Sequence, residues 1–220
     1  MTMIMEWVRD VSIYAVPLLL AVISHEVAHG WVAEKLGDPT ARMLGRISLN
    51  PLVHIDLLGT VIIPLVLLVT NAPFMFGWAK PVPVQFHRLR GGRRGMAWVA
   101  LAGPLTNLML AAASALVYRL ILMLFASGYA VGTAAMVLRP LFLMAQFSVI
   151  FNLVLMVINL FPVPPLDGGR VLAGVLPRRL AWQLARLERY GMLIVVILLA
   201  TGWWGHLLNP VVSLFARLFL

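Results

Sequence analysis

Cysteine is absent from the 220 residues, and charge is scarce: Asp and Glu together number eight, and charged residues make up 11% of the chain. The first absence removes disulfide bracing, thiol catalysis and thiolate metal ligands. The second excludes a soluble globule, which carries about 25% charged residues. Disorder is excluded for the opposite reason, because 62% of the residues are hydrophobic and such a chain buries itself readily. No internal repeat and no low-complexity linker interrupts the sequence. With a mean hydropathy of +0.96, the chain reads as an integral membrane protein.

Residues 57–79, 95–118, 120–138, 140–166 and 190–216 carry no Asp, Glu, Lys or Arg. About 20 apolar residues cross a bilayer as helix. Outside these runs the basic residues gather in three clusters: Lys35, Arg42 and Arg46; Lys80, Arg88, Arg90, Arg93 and Arg94; Arg170, Arg178, Arg179, Arg186 and Arg189. Such clusters mark cytoplasmic loops beside anionic headgroups. The net charge of +9 is therefore topological. It predicts a lipid bilayer as partner and no nucleic acid. The same placement predicts a multi-pass protein of the cell membrane, with its N-terminus outside and its active site toward the cytoplasmic side. A cleaved signal peptide is not expected, since Glu6 and Asp10 precede the first apolar run and His-Glu follows it.

A first spanning helix is predicted over residues 11–35, stopped by Gly37-Asp38-Pro39. Residues 40–56 alternate apolar and polar positions (Met43, Leu44, Ile47, Leu49) and predict a short β-hairpin at the membrane edge. Residues 57–79 are broken by Gly59, Pro64 and Asn71-Ala72-Pro73, and both flanks are basic. They predict a re-entrant hairpin beside the active site, because irregular backbone at depth is tolerated only against protein or a wet cavity. Further spans are predicted over residues 96–126, 134–161 and about 190–202. The last meets Trp203-Trp204 as an interfacial belt, with an apolar tail beyond it. The expected fold class is an all-α polytopic membrane protein with about four spanning helices, a re-entrant hairpin and a short β-hairpin. One membrane domain is expected over residues 1–220, with a core at 11–179 and a C-terminal span and tail at 180–220.

The first span contains His25-Glu26-Val27-Ala28-His29. Helix positions i and i+4 point the same way, so both imidazoles can hold one zinc ion, with Glu26 as general base toward the activated water. The alternative is two histidines packed inside a bundle beside a snorkelling glutamate, but three ionisable groups in a membrane helix are costly unless used. Two histidines leave a catalytic zinc one protein ligand short. Among the remaining acids Asp167 stands out, since Pro162, Pro164 and Pro165 unwind the chain before it and Gly168-Gly169 follow. A helix-terminating loop explains the same residues equally well.

His25-Glu26-x-x-His29 together with Asn159-x-x-Pro162-x-Pro164-x-x-Asp167-Gly168 resembles the site-2 protease family of intramembrane zinc metalloproteases. The intervening Gly77-Trp-Ala-Lys-Pro-Val-Pro-Val84 and Ala102-Gly-Pro-Leu-Thr-Asn107 are similar to its short prokaryotic members. The resemblance runs from about Val11 to Arg179. It implies one zinc per chain held by His25, His29 and Asp167, with Glu26 as the catalytic carboxylate. The expected departures from the family pattern are that no span precedes the His-Glu helix and that no stretch is long or polar enough for a PDZ or CBS domain.

Asn159 is implied to face a substrate backbone or developing oxyanion, although hydrogen bonding between helices accounts for it as well. Asn107 and Asn152 read as such interhelical glue, with Asn107 also a candidate modulator. His54 and Asp56 are further candidates for modulating the zinc, with a structural loop role preferred. The expected activity is an intramembrane zinc endopeptidase cutting a transmembrane segment of another protein, which residues 40–50 would accept as an added strand. The rival class is a divalent-metal transporter or channel lined by buried His and Asp. A transporter has no use for a glutamate that is not a ligand. The sequence leaves the oligomeric state open.

Overall fold

The computed structural model describes residues 3–72, 77–129 and 131–220. Three helices are long and apolar enough to cross a membrane: α1 (Met3–Lys35, the apolar part being Val8–Lys35), α4 (Arg93–Ala126) and α5 (Thr133–Asn159). They pack side by side into one bundle. On α4 a buried stripe recurs every fourth residue: Val99, Gly103, Asn107, Ala111 and Ala115. This spacing keeps the stripe on one helix face, and its small residues let α1 and α5 approach closely. Ala111 and Ala115 meet Val149, Leu153 and Met156 of α5, and Val99 meets Ala33 of α1. Large apolar side chains on the outer faces, such as Leu18, Leu19, Leu116 and Leu120, stay exposed, as expected of surfaces that face lipid.

The predicted β-hairpin is absent: no strand occurs among the described residues. Residues 40–43 form a helical turn, α2 (Thr40–Met43), because the Asp38 carboxylate accepts the Thr40 N–H at 3.1 Å and starts a helix rather than a strand. Of the alternating apolar residues that suggested a strand, Met43, Leu44 and Leu49 are exposed and Ile47 alone is partly buried, beside Gly30. The strand-accepting edge expected over residues 40–50 goes with the hairpin. A 3-10 turn (Pro51–His54) follows.

Residues 57–79 leave and come back. A wide π-helical turn (Leu57–Ile62) leads into α3 (Ile63–Val69), whose second residue, Pro64, has no N–H for a tighter ladder. Asn71 takes a positive φ of 51° and turns the chain. Pro73 and the rest of residues 73–76 lie outside the described residues. The return is fixed where Trp78 N–H donates to Gly59 C=O at 3.1 Å and Lys80 N–H to His54 C=O at 2.8 Å. At 13 residues, or about 20 Å of rise, the outward helix is shorter than a bilayer core. Residues 77–85 then run extended to a short 3-10 turn (Phe86–Arg88).

Past α5 the chain folds under the bundle. α6 (Asp167–Val175) packs on α4, and Arg93, the first residue of α4, caps its C-terminal end by donating to the carbonyls of Ala173, at 2.7 Å, and Leu176. An amphipathic α7 (Arg178–Arg186) follows, then α8 (Glu188–Ala200) and α9 (Trp203–Phe219). The expected fourth span therefore takes the form of a 13-residue helix that ends at a left-handed Gly202. It is shorter than the three long helices. α9 does not trail as a loose tail. Val212, Phe215 and Phe219 pack onto the α4–α5 core, and Arg119 donates to Leu218 C=O at 2.9 Å. Trp203 is exposed at its start, while the Trp204 side chain lies outside the described features.

Candidate metal centre

His25 and His29 sit one turn apart on α1, 7% and 9% exposed, with their Nε2 atoms 3.0 Å apart. Asp167 opens α6 and is 5% exposed; its Oδ2 lies 3.1 Å from His25 Nε2 and 3.2 Å from His29 Nε2. The turn before α6 brings it there. A Cβ at Gly168 would overlap the Leu160 carbonyl, and one at Gly169 would overlap Pro164, so these two glycines let α6 fold back against the end of α5. Among the described residues these three form the one group of metal-ligating side chains.

The Nδ1 atoms face the other way and settle what Nε2 can do. His25 Nδ1 lies 2.6 Å from Asn107 Oδ1, and His29 Nδ1 lies 2.7 Å from Val99 C=O. Carbonyl oxygens only accept, so both Nδ1 atoms donate, and in the neutral ring each Nε2 then presents a lone pair to Asp167. The Asn107 amide cannot flip, because its Nδ2 donates to Asn152 Oδ1 at 2.9 Å and to Ala21 C=O at 3.2 Å. Asn152 in turn donates to Ser148 C=O at 2.8 Å, and Ser148 Oγ meets Ser114 Oγ at 2.7 Å. A buried polar ladder thus runs from His25 across α4 and α5.

Three acceptors converging at 3.0–3.2 Å repel one another unless a cation lies among them. Asp167 Oδ2 is buried and receives no hydrogen bond in the described structure. Tetrahedral zinc with N and O ligands at about 2.0–2.1 Å separates them by roughly 3.3 Å. The donor set, its spacing and its fixed tautomers fit zinc. Gly103 completes the fit, since a Cβ there would come within 2.5–2.6 Å of both imidazoles.

Glu26 is partly buried and stands apart from the three converging atoms, its Oε2 accepting Val82 N–H at 2.8 Å. The other expected residues are not gathered here. Asn159 donates to Leu155 C=O of its own helix at 2.9 Å. His54 is 2% exposed and bonds Ser48 C=O through Nε2 at 2.8 Å, and Asp56 caps the following turn by accepting Gly59 N–H at 2.7 Å. Both have the loop role preferred from sequence. Sequence reasoning missed Gly103, Val82, Arg46 and Asp38. The glycine had a signal, lying one helical turn before Asn107 in a segment already singled out. Val82 had one too, lying in the singled-out segment Gly77–Val84; Arg46 and Asp38 had none.

Residues 13–202 match the sequence profile of Peptidase family M50. The chain belongs to that family. It is similar to the "Putative zinc metalloprotease YwhC" of Bacillus subtilis (strain 168), with 34% identity over 198 residues, 90% of this chain and 84% of that protein. It is also similar to two proteins named "Putative zinc metalloprotease Rip2". The one from Mycolicibacterium smegmatis is 28% identical over 83% of this chain and 64% of its own length. The one from Mycobacterium tuberculosis is 26% identical over 84% of this chain and 67% of its own length. No solved structure matches. M50 membership makes the chain a zinc metalloprotease and decides the reaction class against the transporter. The three apolar helices make this M50 chain a membrane protein.

Proposed function

We propose that the protein is an intramembrane endopeptidase that hydrolyses a peptide bond within or near a transmembrane segment of a substrate protein. The supporting observation is the meeting of Asp167, from α6, with His25 and His29 of α1, a helix long and apolar enough to span a bilayer. His25 lies ten residues before Lys35, or about 15 Å of helix, which puts the reaction below the membrane surface. The basic clusters support a reading in which that surface is cytoplasmic and the N-terminus lies outside. Residues 1–220 act as one membrane domain, and the hairpin at 57–79 enters and leaves from the same face.

In this reading His25, His29 and Asp167 hold zinc, which when bound acidifies water and polarises the scissile carbonyl. Glu26 accepts the proton of the attacking water and delivers it to the leaving nitrogen. Asn107 and Val99 C=O hold the imidazoles in one tautomer and orientation. Asn159, with one N–H on Leu155, offers its second N–H to the substrate backbone. The substrate helix unwinds before cleavage, because helical amides are hydrogen-bonded and shielded.

Glu26→Gln tests the assignment on purified protein, using a reporter with a single transmembrane helix as substrate. Turnover should fall by about three orders of magnitude or more, while zinc content and melting temperature stay near wild type. Retained cleavage would sink the mechanism.

A further inference from the structure

Two charged side chains are buried where residues 77–85 cross the end of α1: Arg46 at 9% exposure and Asp38 at 0%. Neither makes an ion pair among the described residues. A buried charge is costly unless hydrogen bonds replace its hydration. For both residues that replacement draws on one stretch of backbone. Arg46 donates to Lys80 C=O at 2.8 Å, to Pro81 C=O at 3.3 Å and to Val53 C=O. Asp38 accepts Gln85 N–H at 2.6 Å, besides the Thr40 amide and hydroxyl.

Between these two clamps lies Pro81-Val82-Pro83. Proline has no N–H and keeps its neighbours extended, so Val82 carries the sole amide proton of the tripeptide. That proton goes to Glu26 Oε2 at 2.8 Å. The Val82 side chain, 8% exposed, seats over Gly30, four residues beyond Glu26, where an added Cβ would lie 2.9 Å from Val82 Cγ1.

We infer that residues 80–85 are a clamped strap that aims the Glu26 carboxylate, with Arg46 and Asp38 as positioning residues acting through it. The inference rests on Glu26 being the base proposed above. A glutamate has three rotatable bonds, and on a helix surface its carboxylate samples many positions. Pinning Oε2 on a rigid amide leaves Oε1 as the oxygen that meets the water proton. The strap makes no hydrogen bond to His25, His29 or Asp167 among those described, so disturbing it separates catalysis from metal binding.

The test uses the full zinc-loaded chain and the same reporter substrate. Val82→Pro deletes the donor while keeping the extended backbone. Its kcat should fall about 10–100-fold, the usual scale for a lost supporting contact, with KM, zinc content and melting temperature little changed. Val82→Ala keeps the amide, and its kcat should exceed that of Val82→Pro at least tenfold. Gly30→Ala, whose methyl would meet Val82, Ala41 and Ile47, should lower kcat, and Gly30→Ala/Val82→Ala, which relieves the contact to the strap, should recover part of the loss. Arg46→Lys, which keeps the charge and loses the fork, should lower kcat with zinc retained. Wild-type kcat in Val82→Pro overturns the inference, as do equal losses in Val82→Pro and Val82→Ala, or loss of zinc alongside kcat. If Val82→Pro fails to fold, the Gly30/Val82 pair decides, and absence of recovery overturns it. Glu26→Gln is assayed in parallel. An active Glu26→Gln removes the proposed base itself, whereas an inactive one beside a fully active Val82→Pro removes the strap alone.

Discussion

His25 and Glu26 are neighbours on one helix, yet they are secured by opposite kinds of structure. On the histidine side everything is regular. The imidazoles are backed by Asn107 and Val99 of α4, and Asn107 by Asn152 of α5, so three long helices share one buried side-chain network. On the glutamate side the partner is irregular backbone, a proline-bracketed strap held by Arg46 and Asp38. The metal face is therefore a property of the bundle, with its register set by the small-residue stripe of α4. The carboxylate face is a property of the extended segment between α3 and α4. Damage to one should spare the other.

The largest effect that would break this comparison concerns Asp167, which closes the metal face from α6. Asp167→Asn should lose zinc, lose cleavage and melt several degrees lower, since a ligand bound only by the folded state stabilises it. Metal analysis and thermal melting on one preparation check this, and full zinc occupancy would remove Asp167 as a ligand. Gly103→Ala comes next. The added methyl crowds both Nε2 atoms from 2.6 Å, and zinc affinity measured by chelator competition should drop about 10–100-fold. Asn107→Leu should cost less. It leaves the His25 Nδ1–H and Asn152 Oδ1 without partners, at about 1–3 kcal/mol for each buried group, and zinc affinity should fall about tenfold. Asn152→Leu added to it should cost less than its effect alone, because the two side chains share one hydrogen bond.

The smallest effect belongs to the strap side and depends on pH. Burial acts to raise the Asp38 pKa, but hydrogen bonds from Thr40 and Gln85, with Arg88 nearby, outweigh it and hold the carboxyl below its ordinary range. A pKa lower in the folded than in the unfolded chain gives stability that is present above about pH 4 and lost as pH falls through the lowered value. Melting temperatures taken from pH 6 down to pH 3 should show wild type losing its advantage over Asp38→Asn only below about pH 4. A constant gap across that range would show that the Asp38 charge plays no part in holding the strap.

The three long helices were legible because long charge-free runs and basic clusters mark spans without reference to packing. His25 and His29 were legible because one helical period puts them on one face. The β-hairpin expected over residues 40–56 failed for a physical reason. Alternation predicts a strand only where one face is buried, and Met43, Leu44 and Leu49 are all exposed. The Asp38 carboxylate, accepting the Thr40 N–H, starts a single helical turn over Thr40–Met43 in place of the first strand. Arg46 was counted with the basic cluster, since a buried arginine and a cytoplasmic one look alike until the carbonyls around it are placed.

By itself, the sequence determined the solvent in which this chain lives and the chemistry of its helix. Composition sets hydration free energy residue by residue, and the spacing of His25, Glu26 and His29 follows from the 3.6-residue turn. The tertiary structure alone decided what lies across from them. It brings Asp167 to 3.1–3.2 Å from both imidazoles over 138 residues of chain from His29 and 142 from His25, fits Gly103 beneath them and turns a two-proline tripeptide toward Glu26. Those contacts depend on close packing between elements distant in sequence, where a single Cβ is enough to exclude the arrangement, and no local pattern encodes that exclusion.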